Sequence, residues 1–330
     1  MQKTLLVKLV EEYYGAGKSE RVYGRLAEEM QLVGRSTWMP LWRCVAALRQ
    51  EFSPENVLVL GSTNDSLLAC LLGATSVNPL PPHYRCNNCH YTTFNCDHYE
   101  DGWDMPDAVC PACGGSMEGD GHRLSSRSLA MRLPDISLRV PNEMRQLVTD
   151  FIPDYWQCMD ENGTLTVEPY SDEELTALRL VQSDGQQGII EIGALRDDTQ
   201  ALEGLPPLTT TYHHIKAMGL QLAEGAWSRA EQIAIHRGDV DFLDVIAFRE
   251  DVYDLIRRHT PPKARAENGI PWQIMEAVCK GKYARFGMPE ELKRYLSCTL
   301  RLPKYYIGAL KRIEYLPRKG DCVARWMMEG

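Results

Sequence analysis

Two Cys-x-x-Cys units, Cys86–Cys89 and Cys110–Cys113, stand 20 residues apart in this 330-residue chain and restrict what the segment around them can become. Each pair can bite one ion from a single tight turn, and two such turns complete a tetrahedral four-thiolate site. Four protein donors close the coordination sphere, so the expected cofactor is structural Zn2+. It would fold a loop-rich module over residues 84–122 that is too small for a core of its own. Cys96, His90 and His98 lie in the intervening loop and are alternative ligands. The cysteine total is odd, at 11, and Cys44, Cys70, Cys158, Cys279, Cys298 and Cys322 are isolated, which argues against a disulfide framework.

On either side of the module the hydrophobic periodicity changes. Leu5, Leu6, Leu9 and Val10, then Val22, Leu26 and Met30, then Leu41, Val45 and Leu48 recur near helical spacing. Val57–Leu60 reads as a short strand, followed by the turn Gly61-Ser62-Thr63-Asn64-Asp65-Ser66 and a helix through Leu72. Pro79-Leu80-Pro81-Pro82 stops regular structure, and Ile189–Ile192 is a second strand. From there the chain reads as helices separated by Pro206-Pro207, Pro261-Pro262, Pro289 and Pro303. The expected class is α+β, divided at 1–83, 84–122, 123–200 and 201–330. Gly15-Ala16-Gly17-Lys18-Ser19 imitates the tail of a phosphate-binding loop, but Glu12 stands where the first glycine is needed and a helix precedes it. His213 and His214 are adjacent on a helix and point apart, which suits a helix-surface or core role.

Charge separates the two ends. From Leu255 to Gly330 there are 16 Lys and Arg against 7 Asp and Glu, a balance of +9, whereas the whole chain carries −9 and the remainder therefore −18. Tyr283, Phe286, Tyr295, Tyr305, Tyr306, Tyr315 and Trp326 are interleaved with those cations. The mixture suits phosphate contacts with base stacking, at Lys280, Lys282, Lys311, Arg312, Arg318 and Lys319. It also suits a solvated helical face over an aromatic core. No apolar run approaches a membrane span and Met1-Gln2-Lys3-Thr4 opens no signal peptide, so a cytoplasmic protein is expected.

The run Val77-Asn78-Pro79-Leu80-Pro81-Pro82-His83-Tyr84-x-Cys86-x-x-Cys89 resembles the palm of the PolC-type bacterial DNA polymerase III alpha subunit. Tyr14-Gly15 with Arg25-Leu26-x-Glu28-Glu29 is similar to the start of that palm. Leu243–Asp251, Ile274–Lys282, Leu302–Ile307 and Lys311–Tyr315 are similar to its fingers. The resemblance implies a nucleotidyltransferase-like palm sheet carrying the zinc module, then a mainly helical fingers-like region. It implies a core without the family's upstream exonuclease and phosphoesterase-like domains, with the thumb reduced or missing between Leu138 and Ile189.

The same resemblance locates the catalytic acids, and here the chain departs from the pattern. Nucleotidyl transfer uses two divalent metals bridged by carboxylates. Of the family's Asp-x-Asp, Pro134-Asp135-Ile136-Ser137-Leu138 keeps Asp135 and carries Ser137 at the second position. Aligning Asp197-Asp198 with the family's acidic pair puts Ile192 at the third acid, with Glu191 beside it but expected on the opposite face of the strand; Asp197-Asp198 also reads as a helix cap. A rearranged site would have to recruit nearby acids such as Asp150, Asp154, Asp160 and Glu161, or shift its register by one residue to bring Glu191 inward. The family's phosphate turn is replaced by Val59–Ser66, where Asp65 opposes a triphosphate. Its polar Ser-His-Gly-Thr in the fingers becomes Gln221–Glu224. The expectation is a catalytically inactive PolC-like fragment, without catalytic Mg2+, that binds DNA or replication proteins. The alternatives are a divergent active polymerase or other nucleotidyltransferase, and a structural subunit that docks another protein.

Overall fold

The computed structural model describes residues 2–15, 19–33, 38–96, 98–130, 136–157, 190–194, 199–261 and 269–329. The chain divides into two compact units, one of Met1–Arg196 with Val323–Gly330 and one of Asp197–Cys322.

The first unit begins with three helices, α1 (Gln2–Tyr14), α2 (Glu20–Val33) and α3 (Trp38–Phe52), followed by β1 (Leu58–Gly61) and α4 (Leu67–Leu71). A three-stranded sheet pairs β1 with β6 (Ile136–Val140), and β6 with β7 (Ile190–Ala194). β6 is central, antiparallel to β1 and parallel to β7. Its sequence Ile-Ser-Leu-Arg-Val alternates as a half-buried strand should: Ile136, Leu138 and Val140 are buried, while Ser137 and Arg139 are half-buried. The buried row joins Val22, Leu26, Trp42, Leu48, Leu67 and Leu68 in one core. α5 (Arg145–Gln157) closes it against α3, with the rings of Phe52 and Phe151 5.7 Å apart. Truncating a core side chain such as Leu48 to Ala would cost about 2–5 kcal/mol.

Between β1 and β6 the chain builds a second sheet of β2 (His83–Cys86), β3 (Thr92–Thr93), β4 (Ala108–Val109) and β5 (Ser116–Asp120), in the order β3-β2-β5-β4. Its apolar cluster contains only Cys86, Cys110 and Met117, with Tyr84 and Ala108 at its margin. The module is fastened by polar contacts. Asp120 accepts from Tyr13 Oη at 3.2 Å and from Asn78 Nδ2 at 2.6 Å, and buried His122 donates from Nδ1 to buried Asp101 at 2.9 Å. His83, also buried, donates from Nδ1 to the Pro81 carbonyl at 2.8 Å and stacks on Phe94 at 4.7 Å; burial holds its pKa below the ordinary histidine value. Backbones meet so closely here that a Cβ on Gly119 would stand 2.1 Å from the Gly102 carbonyl oxygen.

The second unit is helical. Its described helices are α6 (Thr211–Leu222), α7 (Arg229–His236), α8 (Arg249–His259), α9 (Ile270–Cys279), α10 (Lys282–Phe286), α11 (Glu290–Arg294) and α12 (Lys304–Arg312), and α13 (Lys319–Glu329) starts within it. Caps fix their starts: the Thr210 side chain accepts from His213 N, Ser228 from Ala230 N, and Asp251 from Phe248 N. Gly219 of α6 lies under Phe248, whose ring would be 2.3 Å from any Cβ there. No described helix is long and apolar enough to cross a membrane.

Candidate metal centre

The two Cys-x-x-Cys units fold into the same turn twice. At the first, the Cys86 amide donates to the Tyr91 carbonyl and the His90 amide returns to the Cys86 carbonyl, both at 2.9 Å. At the second, Cys110 N donates to Gly115 O at 2.7 Å and Gly114 N to Cys110 O at 2.9 Å. The residue after the second cysteine must take a left-handed backbone in each turn: His90 has φ 59° and Gly114 φ 73°. Glycine does so without strain, whereas His90 is a side chain held where side chains rarely sit.

The sheet brings these turns together, because Cys86 ends β2 opposite Met117 of β5 and Val109, just before Cys110, pairs with Ser116 of the same strand. All four Sγ atoms lie within 4.8 Å of one another, with Cys86–Cys113 at 3.6 Å and Cys89–Cys110 at 3.5 Å. A tetrahedral ion with metal–sulfur bonds of about 2.3 Å would set its sulfurs about 3.8 Å apart, so the donor set fits. Cys86 and Cys110 are buried, while Cys89 and Cys113 are exposed.

Electrostatics agree with a cation. Backbone N–H groups of Cys89 and then Asn88 pull the Cys86 thiol down to about 6. For Cys89 the Tyr91 amide also favours the thiolate, but its contacts with Cys113, Cys110 and Cys86 outweigh this and push it up to about 12. Four crowded sulfurs cannot all ionise unless a positive charge stands among them. Among the described residues this is the one cluster of metal-ligating side chains, and it includes none of Cys96, His90 and His98. Buried Cys96 has its sulfur 4.0 Å from the Thr93 carbonyl, and exposed His98 lies against Tyr99 with ring centroids 4.1 Å apart.

At the sheet, Ser137 occupies the middle of β6 between Leu60 of β1 and Glu191 of β7, while Ile192 is paired with Leu138. The register therefore sets Glu191, one position before Ile192, in the row that Ser137 occupies. Ser137 Oγ, shielded from solvent, has no hydrogen-bond partner among the described residues, and neither has Ser62 Oγ in the turn beyond β1. Asp135, Asp160, Glu161, Asp197 and Asp198 lie outside the described residues, as do Ala16–Lys18 and Cys158. Asp150 accepts from Gln146 at 2.8 Å.

Ser62, Thr63, Asn64, Asp65 and Ser66 are all buried. Trp42 donates to Thr63 Oγ1 at 3.2 Å, Asn64 donates to the Val59 carbonyl at 2.8 Å, and Ser128 donates to Asp65 Oδ2 at 2.5 Å. The first amides of α4 are taken by Glu29, which accepts from Leu67 N at 2.8 Å, Leu68 N at 3.1 Å and Ser66 Oγ at 2.8 Å. Arg25 neutralises it at 2.6 Å and also donates to the Asp65 and Leu124 carbonyls. The role of Glu29 was not anticipated. Its signal is an acid on the buried face of α2, in register with Val22, Leu26 and Val33.

Of the six basic residues singled out by composition, three serve the interior of the second unit. Arg312 pairs with buried Glu231 at 2.5 Å and donates to the Gly225 carbonyl, Arg318 is 6% exposed, and Lys319 is 6% exposed with its ammonium 4.5 Å from the Tyr212 ring. Lys280, Lys282 and Lys311 are exposed. His213 is a helix-start contact, its Nδ1 3.2 Å from the Thr209 amide.

No protein-family model matches the chain. Among curated proteins it is similar to the DNA polymerase III PolC-type of Thermotoga petrophila, 34% identical over 157 residues, which are 46% of this chain and 12% of that protein. It is similar to the same polymerase of Latilactobacillus sakei, 32% identical over 156 residues, 45% of this chain and 11% of that one. With the Bacillus subtilis protein it shares 33% identity over 137 residues, 39% of this chain and 10% of the relative. The chain thus spans about a tenth of the length of the curated relatives it matches.

Proposed function

We propose that this relative of the PolC-type polymerases has a palm-like first unit and fingers-like helices, and that it binds DNA or replication proteins without performing nucleotidyl transfer. The observation that carries the reading is Ser137, a hydroxyl with no hydrogen-bond partner among the described residues, at the centre of the sheet, where the resemblance calls for the second carboxylate of a metal pair. A neutral hydroxyl does not replace an anionic bridge between two dications. The turn 62–66 supports it: the α4 amides that would face a phosphate are held by Glu29, and a triphosphate would have to displace a carboxylate. Zn2+ at the four thiolates is structural in this reading, because no coordination position is left for substrate. Residues 1–83 and 123–200 then form the palm-like parts and 201–330 the fingers-like part. DNA contact falls to the exposed Lys280, Lys282 and Lys311.

Primer-template extension with purified protein in Mg2+ or Mn2+ tests the reading, and no incorporation above background is expected. A second reading rests on the β7 register, which sets Glu191 level with Ser137, so that Glu191 and not Ile192 would supply a metal-binding carboxylate. Template-dependent incorporation that disappears in both Asp135→Ala and Glu191→Gln would establish that reading and overturn the first.

A further inference from the structure

Phe286 is the most solvent-exposed of the large apolar side chains among the described residues, at 84%, and it caps a short basic helix. Lys280-Gly281-Lys282-Tyr283-Ala284-Arg285-Phe286-Gly287 contains three cations and no acid. Lys280, Lys282, Arg285 and Phe286 are all exposed, and Lys311 is exposed on α12, which packs against this helix. The nearby acids only partly offset them: Glu276 lies 3.8 Å from Lys280, and Glu290 is held by Lys293.

The segment is also held in shape. Gly281 and Gly287 bracket α10 with φ of 62° and 79°, conformations that side chains rarely adopt. Arg285 N donates to the Gly281 carbonyl and Gly287 N to the Tyr283 carbonyl, at 3.0 and 3.1 Å. The Arg285 guanidinium folds back on the Lys280 carbonyl at 3.0 Å, which restrains that cation at the start of the helix. An exposed aromatic side chain in a segment of exposed cations offers a base a stacking surface and a phosphate chain its counter-charge.

We infer that α10 is a single-stranded nucleic-acid contact, in which Phe286 stacks on an unpaired base while Lys280, Lys282 and Arg285 hold the flanking phosphates. This rests on the DNA-binding part of the proposed function and names the form of nucleic acid and the residues that receive it. A duplex is a poorer occupant, because its base faces are covered by their neighbours. A protein partner would need an acidic surface around an apolar pocket, and nothing in the segment favours that over a polyanion.

The test is fluorescence anisotropy of a labelled oligothymidylate against the full chain at low and rising salt, with a duplex of equal length alongside. Wild type should bind the single strand more tightly than the duplex, with affinity falling as salt rises. Phe286→Ala should weaken the single-strand complex about tenfold, the loss of one stacked base, with an unchanged thermal melt. Phe286→Trp should retain binding and show quenched tryptophan emission in the complex. Unchanged affinity in Phe286→Ala, while the chain still binds DNA, would overturn this inference and leave the proposed function standing. No salt-sensitive binding to either nucleic acid would overturn this inference together with the DNA-binding part of the proposed function. Capture of a replication protein lost in Phe286→Ala, without oligonucleotide binding, would reassign the surface to protein docking and overturn the inference.

Discussion

The cysteine turns and the turn after β1 are two loop structures of the first unit that present polar groups in a tight space, and they do opposite things with them. At the cysteine turns some backbone amides close the loops while those of Asn88, Cys89 and Tyr91 face sulfur, and the four thiols are left crowded against one another. At residues 62–66 nearly every group is answered from inside: Glu29 holds the α4 amides, Arg25 holds Glu29, and Ser128 holds Asp65. A fold leaves a place for a ligand where its donors are unmatched and closes one where its own side chains have matched them. Ser62 and Ser137 are exceptions within the closed region, two hydroxyls without partners beside the sheet.

Metal removal should have the largest effect. Chelation, or Cys110→Ser, should release one zinc per chain and unfold the module; structural zinc contributes roughly 10 kcal/mol or more to such segments. Metal analysis, cobalt substitution with its thiolate absorption, and Trp103 fluorescence would check it. A chain that melts identically with and without chelator has no structural metal. The closed turn should respond next. Glu29→Gln leaves the α4 amides and Arg25 without their anion and should cost about 3–5 kcal/mol in urea unfolding. A cost under about 1 kcal/mol would mean that the carboxylate is not holding the turn shut. Ser137→Ala should have the smallest effect, neutral or stabilising by about 1 kcal/mol, because it removes a hydroxyl that no group answers. Clear destabilisation there, or a loss of stabilisation by Mn2+ in thermal melts, would show that the hydroxyl serves a ligand.

The metal centre was legible because ligand spacing is local: two residues between cysteines set a turn, and the turn aims both sulfurs. The strands at Val57–Leu60 and Ile189–Ile192 and the helical periodicity of α2 and α3 were legible for the same reason, whereas β6 was not read as a strand. The basic surface was legible only in part. Composition counted Arg312, Arg318 and Lys319 with Lys280 and Lys282, but a cation's neighbour is decided by distant chain, and Glu231 lies 81 residues before Arg312. The α4 amides pair with Glu29 across 38 and 39 residues, which no local pattern reports.

The four-cysteine cluster, the mixed helix-and-sheet class and the relationship to PolC-type polymerases were readable from residues near one another along the chain. Only the tertiary structure decided which carboxylates fill the turn after β1, that Glu191 stands in the row of Ser137, which cations are surface and which are interior, and that Phe286 stands out into water. Those are matters of burial and strand register, fixed when distant segments compete for the same space.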